Sequence, residues 1–513
     1  MNHLQKEQLI AEFDWAEQFA AETLRLPAEL EAIERGDRKA DLDELEWLLA
    51  GVRSKLEAYG RAYPADTFSR QLGDAFRARL ERLQASIQAG CRAPEACEWN
   101  RFLALKYELR TLYKQLGGVL AGSDWQTPCV KTKPPEPGVP EESGYAQSEQ
   151  GTYTRAYGSE VVKAYERQVL QAYYDCPGEQ DLPCAGYTVS SGMKALELAL
   201  LGYRRFTGQQ APFYWQEGFY GEGVELTELL LDRPQCLASA ELIARIEAGE
   251  RIGGLLVDPG MSYPVRPPVP LERLMQALAN HRQAEPMYVI VDRTLTSLAN
   301  PLFARYAAEL PEHIVLISVE SGIKYLQYGF DMASIGYLTV TERGLRQSER
   351  REAWEALAGL LGAGAEPSVV RQLPQPDWAR VAARLERLGR NAWWVDAYLT
   401  YARRSGRIEA YARTVDPSPL YRIGETPWIG AVFYIRLPGL ERQEQVERWV
   451  DRTTASVPEE EHLVSGGSFG FDTFRMNAVS GANGGEAALR ISVGREPLGQ
   501  LLRLLHALHR RLP

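Results

Sequence analysis

Residues 314–331 read IVLISVESGIKYLQYGFD. Ile314 to Val319 is a short, mostly apolar run of the kind buried on both faces of a parallel sheet. Ser321-Gly322 ends it, since small residues turn the chain where a strand exits. Lys324 follows at once. A lysine at a strand exit, shielded by Ile323 and Tyr325, can have its amine pKa lowered and form a Schiff base. Taken singly, the same residue also reads as an ordinary surface lysine.

The same design recurs upstream. In VIVDRT (289–294) Asp292 follows an apolar run and so sits at the C-terminal end of a parallel strand, where α/β folds bind ligands. That carboxylate is either a helix cap or a partner for a protonated ring nitrogen. In TVSSGMKALELALLGYR (188–204) a strand ends at Thr188–Ser190, and Ser191-Gly192 opens a helix at Met193. Glycine allows close backbone approach, and a helix start offers free N–H groups and a positive dipole end, which suits a phosphate. Alone it is equally a tight strand-to-helix turn.

Further strand candidates are PFYWQ (212–216), IGGLLVD (252–258), MYVIVD (287–292) and ASIGYLTV (333–340), alternating with helical patterns. Such alternation implies βαβ units around a mostly parallel sheet, an α/β fold. Beyond residue 350 a helical stretch leads into AVFYIRL (431–437) and ALRISVG (488–494), the strands of a smaller α+β C-terminal domain. Before the α/β region, residues 1–126 read as helix after helix, with Leu42, Leu45, Leu48, Leu49 and Val52 at helical spacing. Residues 127–150 are rich in Pro, Gly and Glu and read as a linker or extended arm. The expected division is therefore a helical extension (1–126), linker (127–150), large domain (151–350) and small domain (351–513). No chemistry is evident in the extension, whose default role is packing, oligomerisation or a lid.

The chain has 513 residues, 45% hydrophobic, with a formal net charge of −10. That balance argues against a dedicated nucleic-acid binder or polybasic membrane anchor, and no apolar run of about 18 residues exists to span a bilayer. The N-terminal MNHLQKEQLIAEFDW fits neither a signal nor a transit peptide, so a cytoplasmic enzyme is expected. Cysteines 91, 97, 129, 176, 184 and 236 form no CxxC pair and read as isolated buried thiols; no metal-ligand set is evident among the histidines.

A phosphate turn, then an aspartate, then a lysine, each at a strand end, resembles the plan of fold-type I pyridoxal-phosphate enzymes. Within that group the chain resembles the cystathionine γ-synthase and methionine γ-lyase family of Cys/Met metabolism. The tyrosine–Ser/Thr–arginine signature is similar to Tyr153-Thr154-Arg155, and the phosphate turn to Ser191-Gly192-Met193. The ring-stacking tyrosine resembles Tyr220-Gly221-Glu222-Gly223, and the VDNT strand end resembles Val291-Asp292-Arg293-Thr294. The S-x-T-K-Y-L motif resembles Ser321 to Leu326, and L-R-L-S-V-G resembles Leu489 to Gly494. These matches run from about 151 to 500.

The resemblance implies pyridoxal 5′-phosphate as cofactor and no metal. It implies that Ser191, Gly192, Met193 and Ser321 bind the phosphate, Tyr220 stacks on the ring, Asp292 pairs with the ring nitrogen, and Lys324 holds the cofactor and then moves protons. Arg490 would clamp the substrate carboxylate, with Tyr263 and Ser468 on the substrate side. Tyr153 and Arg155 would reach a neighbouring subunit's phosphate, making the protein a homodimer or homotetramer, with no nucleic-acid or membrane partner. Ile323, Phe219, Tyr328-Gly329 and DPGMSYP (258–264) depart from the family pattern and point to an altered substrate. The reaction expected is γ-elimination from an L-amino acid. One such reaction, chloride loss from a γ-chlorinated allylglycine, gives propargylglycine. Alternatives are cystathionine-type γ-replacement, β-elimination of a sulfur amino acid, transamination, or a cofactor-binding regulator or pseudo-enzyme.

Overall fold

The computed structural model describes residues 8–10, 12–20, 28–62, 67–92, 98–120, 160–174, 184–261, 268–341, 348–458, 462–480 and 486–513. Tyr153, Arg155, Tyr263 and the segment 127–150 lie outside them. The apolar runs become the middle of a seven-stranded sheet. Its strands are β1 (Cys184–Val189), β2 (Phe213–Gln216), β3 (Gln235–Leu237), β4 (Gly254–Val257), β5 (Met287–Asp292), β6 (Ile314–Ser321) and β7 (Gly336–Thr341), in the order β1-β7-β6-β5-β4-β2-β3. Neighbouring strands from β3 to β6 pair in parallel, whereas β7 is antiparallel to both β6 and β1. Every residue of β4 and nearly every residue of β5 and β6 is buried, which is why those strands carry no alternation.

The helices of the first two-thirds are α1 (Trp15–Ala20), α2 (Ala28–Ala62), α3 (Thr67–Arg92), α4 (Trp99–Leu120), α5 (Glu160–Tyr173), α6 (Gly192–Thr207), α7 (Gly221–Leu230), α8 (Ser239–Glu247) and α9 (Leu271–Asn280). Then come α10 (Ser348–Leu360), α11 (Pro367–Gln372) and the 27-residue α12 (Trp378–Arg404), started by Asp377, whose side chain accepts from Arg380 N at 3.1 Å. The small domain holds β8 (Ala410–Arg413), a hairpin of β9 (Arg422–Ile423) and β10 (Thr426–Pro427), β11 (Val432–Arg436), α13 (Gln443–Ser456), β12 (Val464–Ser465), β13 (Arg475–Ser480), β14 (Ala487–Ser492) and α14 (Leu498–His509). Its main sheet runs β12-β13-β14-β11-β8.

The helical extension is not an appendage. α2 packs against α3 and α4, and Trp15 and Phe19 of α1 sit in an aromatic cluster with Trp394, Tyr398, His506 and His509. Beneath lies a buried ion network. Asp37 and Asp41 receive Arg390 at 2.8 Å and Arg387 at 2.7 Å from α12, and Asp41 meets Arg495 at 3.1 Å. Lys106 of α4, fully buried, reaches Glu44 at 2.7 Å and Asp472 at 2.8 Å. Asp472 also accepts from Arg384 and Arg495, both at 2.6 Å. So many cations hold its carboxyl well below the usual range despite the cost of burial.

The cysteine expectation needs correction. Cys236 is exposed and Cys91 and Cys184 are half-buried, because strand β3 is at the sheet edge and α3 faces solvent. No helix among the described residues is long and apolar enough to cross a membrane. No group of three or more His, Cys, Asp or Glu among them is placed to hold a metal ion.

Candidate active site

Three strand ends meet on one side of the large sheet. β4 hands over to Asp258, β5 ends in Asp292, and β6 ends in Ser321, three residues before Lys324. Parallel register places them side by side: Val257 pairs with Val291, and Asp292 with Val319. Asp292 accepts from Thr294 N at 2.8 Å, while the Thr294 hydroxyl accepts from Ser321 N at 3.0 Å, which locks the two strand ends together. Burial raises the Asp292 carboxyl above its ordinary value, partly opposed by the Thr294 bonds. Asp258 is more deeply buried and is raised well above the ordinary range by burial and by Asp292.

Ser191 caps α6, its hydroxyl accepting from Lys194 N at 3.0 Å, and Gly192 and Met193 begin the helix. A Cβ on Gly192 would stand 2.8 Å from Ser321 Cβ. Glycine there lets the helix start approach the β6 exit closely. Tyr220 precedes α7 and is 41% exposed. Burial and Glu222 push its hydroxyl pKa up, while Arg490 opposes and Asp292 adds, so both active-site ends lie within its electrostatic reach.

Lys324 Nζ donates to Ser468 Oγ at 2.8 Å and stands 5.2 Å from the centre of the Phe469 ring. Burial, then the nearby Arg490 guanidinium, lower its pKa from 10.5 to about 8. Arg490 projects from β14 with its guanidinium carbon 5.7 Å from the same ring, and its Nε is buried without a partner among the described residues. Residues 144 and 166 positions apart in sequence thus converge on one lysine.

What holds that lysine comes from the extension. The chain after it turns through Tyr328 (φ 55°) and Asp331 (φ 47°), left-handed conformations that cost a non-glycine residue energy. The carbonyls of this turn are captured by charged donors of α4: Lys106 binds Tyr328 O at 2.9 Å, and Arg110 binds Asp331 O at 2.6 Å and Phe330 O. On the other side Arg384 binds Gly470 O at 2.9 Å. Gly470 has φ 84°, and a Cβ there would overlap the Lys324 carbonyl. The Lys324 turn and the Ser468 loop are therefore packed back to back.

The structure brings Ser191, Gly192, Met193, Tyr220, Asp292, Ser321, Lys324, Ser468 and Arg490 to one region of the molecule. Asp258, Lys106, Arg110 and Arg475 were not singled out from sequence. Two signals were available for them. Lys106 falls on the apolar stripe Phe102, Leu109, Tyr113, Leu116, and Phe474-Arg475-Met476-Asn477-Ala478 alternates. An amine of lowered pKa, a carboxylate at a neighbouring strand end and a glycine at a helix start fit a phosphorylated pyridine aldehyde.

No known protein family's sequence pattern matches the chain, and no curated protein matches it in sequence. Solved structures do. A methionine gamma lyase from Micromonospora echinospora, CalE6 in its apo form, superposes with a TM-score of 0.50 at 17% identity, over 78% of this chain and 97% of that one. The fold is that of fold-type I pyridoxal-phosphate enzymes. An alanine aminotransferase from Pyrococcus furiosus gives 0.42 at 12% identity, over 72% of this chain and 87% of that one. An 8-amino-7-oxononanoate synthase from Francisella tularensis gives 0.43 at 11%, over 69% and 87%.

Proposed function

We propose that this chain is a pyridoxal-phosphate-dependent enzyme that eliminates a substituent from Cγ of an L-amino acid. The observation that carries this reading is the half-buried Lys324 amine, 2.8 Å from Ser468 Oγ and within the field of Arg490, whose Nε has no partner among the described residues, next to the strand that ends in Asp292. When bound, the cofactor supplies an electron sink for charge developing on the amino acid. Asp292 would hold the ring nitrogen, and a cation there stabilises its carboxylate against burial. Ser191, Ser321 and the amides of Gly192 and Met193 would hold the phosphate, with Tyr220 over the ring face. Tyr153 and Arg155 would complete this end from a second subunit of a homodimer or homotetramer.

Arg490 would fix the substrate's α-carboxylate through its two-pronged guanidinium. Lys324 Nζ would take the Cα proton, deliver it to the bound cofactor and, neutral again, take a Cβ proton. A pKa of about 8 leaves both protonation states populated near neutrality. Ser468 orients the amine between these transfers. Chloride loss from a γ-chlorinated allylglycine, giving propargylglycine, is one reaction of this type.

The test has two stages. Cofactor-loaded protein is expected to show a visible band that borohydride fixes onto Lys324, and Lys324→Ala is expected to lose both band and turnover. Retention of both in that variant refutes the assignment. Release of halide or thiol from γ-substituted amino acids without an added nucleophile identifies elimination, whereas incorporation of an added thiol identifies replacement. A band with no turnover on any amino acid identifies a regulator.

A further inference from the structure

The chain passes from the large domain to the small one through a stretch that the extension grips by its backbone. Residues 363–365 still belong to the large sheet, because Ser190 N donates to Ala363 O at 3.2 Å and Ala365 N to Thr188 O at 2.9 Å. Asp377 already belongs to the small domain, since it caps α12. A swing of one domain against the other must therefore be absorbed by φ and ψ changes in residues 366–376.

Side chains from elsewhere hold that stretch. Lys55 of α2 donates to Arg371 O at 2.6 Å, and Tyr113 of α4 donates to Leu373 O at 3.3 Å. The Lys55 amine also stands 4.4 Å from the centre of the Tyr113 ring, so the two donors support each other. A Cβ on Gly117 would stand 3.0 Å from Arg371 O, which shows how closely α4 and α11 approach. Tyr328, in the turn behind Lys324, donates to Gln375 O at 3.1 Å. Its hydroxyl and that of Tyr173 accept from Asp377 N at 3.0 and 3.1 Å. The same helices reach both domains. About 20–27 Å nearer its start, α2 binds Arg387 and Arg390 of α12 through Asp41 and Asp37. Lys106 of α4 joins Asp472 to the Tyr328 carbonyl.

We infer that Lys55, Tyr113 and Tyr328 are positioning residues, which fix the 366–376 connection and so hold the small-domain groups Ser468 and Arg490 beside Lys324. The extension is a clamp in cis on the relative position of the two domains, and the register of the site does not depend on a ligand that bridges them. This inference goes beyond the reaction proposed above and does not rest on it. The charges around Lys324 provide a readout that a general loss of stability does not. Arg490 and Arg475, from the small domain, disfavour its ammonium, whereas Asp331 and Glu222, from the large domain, favour it. A small domain that moves off takes both cations and part of the burial with it and leaves both carboxylates, so the Lys324 midpoint rises.

The test compares the full-length wild type with Lys55→Met, Tyr113→Phe and the two combined. Hydrogen–deuterium exchange is followed in the cofactor-loaded and cofactor-free forms, and the pH dependence of Lys324 acetylation in the cofactor-free form. In the combined variant, exchange is expected to quicken at least about tenfold in 366–377 and in 468–477, and less than about twofold in β5. The Lys324 midpoint is expected to rise with it. Tyr113→Phe loses a single hydroxyl and keeps the comparison open if Lys55→Met does not fold; alone it is expected to give about threefold in the same two segments. Lys55→Arg, which keeps a donor, is expected to restore the wild-type pattern in part. Arg53→Ala, on the same helix but bonded to Gln84 of α3, is expected to change neither readout. Faster exchange confined to 366–377 with the midpoint unmoved overturns the inference, because the connection then does not govern the site. Equal loosening of β5 overturns it as well, since the bonds then serve stability alone, and so does no loosening at all.

Discussion

Lys324 provides the most direct test of the site's electrostatics. Its ordinary pKa of 10.5 falls to about 8 through burial and then through Arg490. At pH 7 an amine of pKa 8 is neutral about one time in ten. One of pKa 10.5 is neutral about three times in ten thousand, so the site raises the nucleophilic fraction by roughly 300-fold. The perturbation is Arg490→Met, which removes a like charge and keeps the bulk. Because a neighbouring cation disfavours the ammonium, its removal moves the titration midpoint upward. The assay is trace labelling of cofactor-free protein with acetic anhydride from pH 6 to 11, with Lys324 acetylation followed by peptide mass spectrometry. A wild-type midpoint near 8 and a higher one in Arg490→Met are expected. Ser468→Ala shifts the midpoint the other way, since Ser468 accepts a hydrogen bond from the amine that stabilises the charged form. A wild-type midpoint of 10 or above, or an Arg490→Met midpoint unmoved or lowered, would refute the reasoning.

Three further outcomes are expected. Lys106→Met leaves Glu44 and Asp472 short of a buried counter-charge and frees the Tyr328 carbonyl; a stability loss of about 3–5 kcal/mol in urea unfolding is expected, with faster cofactor release, and a loss under about 1 kcal/mol contradicts the network's role. Gly192→Ala brings a Cβ to 2.8 Å from Ser321 Cβ; fluorescence titration should show pyridoxal phosphate binding weakened about tenfold while phosphate-free pyridoxal is little affected. Glu496 is fully buried, and burial lifts its carboxyl from 4.5 to about 7, so the folded state binds more protons between those values and stability falls as pH rises through them. Glu496→Gln should therefore stabilise the protein by up to about 3 kcal/mol at pH 8 and by little at pH 4.5, measured as denaturant midpoints.

The strand ends were legible in the sequence because each combines an apolar run with an abrupt polar or small residue. Asp292, Ser321 and Lys324 and the Ser191-Gly192 turn all carry that local mark. Arg475 and Lys106 were not singled out for a physical reason: their importance lies in which distant groups face them. A lysine on a helix's apolar stripe reads as an interruption until Asp472, 366 positions away, appears beside it. The extension likewise reads as packing, since the carbonyls that Lys106 and Arg110 capture belong to a turn more than 200 residues downstream. The antiparallel β7 was also hidden, because a buried central strand has the same composition in either direction.

The ion network has a consequence for how the chain is made. Asp41 meets Arg495, and Glu34 accepts from Gly499 N at 2.8 Å, so the first long helix waits for nearly the last residues. At about 5–20 residues per second, that interval is roughly 25–90 s of synthesis. Until then Asp41 lacks Arg495 and Glu34 lacks the Gly499 amide, although α3 and α4 already pack on α2 and Lys106, Arg387 and Arg390 supply earlier counter-charges. The turn behind Lys324 gains its donors from α4 early, but Lys106 gains Asp472 only near the end. A ribosome stalled before residue 468 would thus hold Lys324 without Ser468 and Lys106 without Asp472.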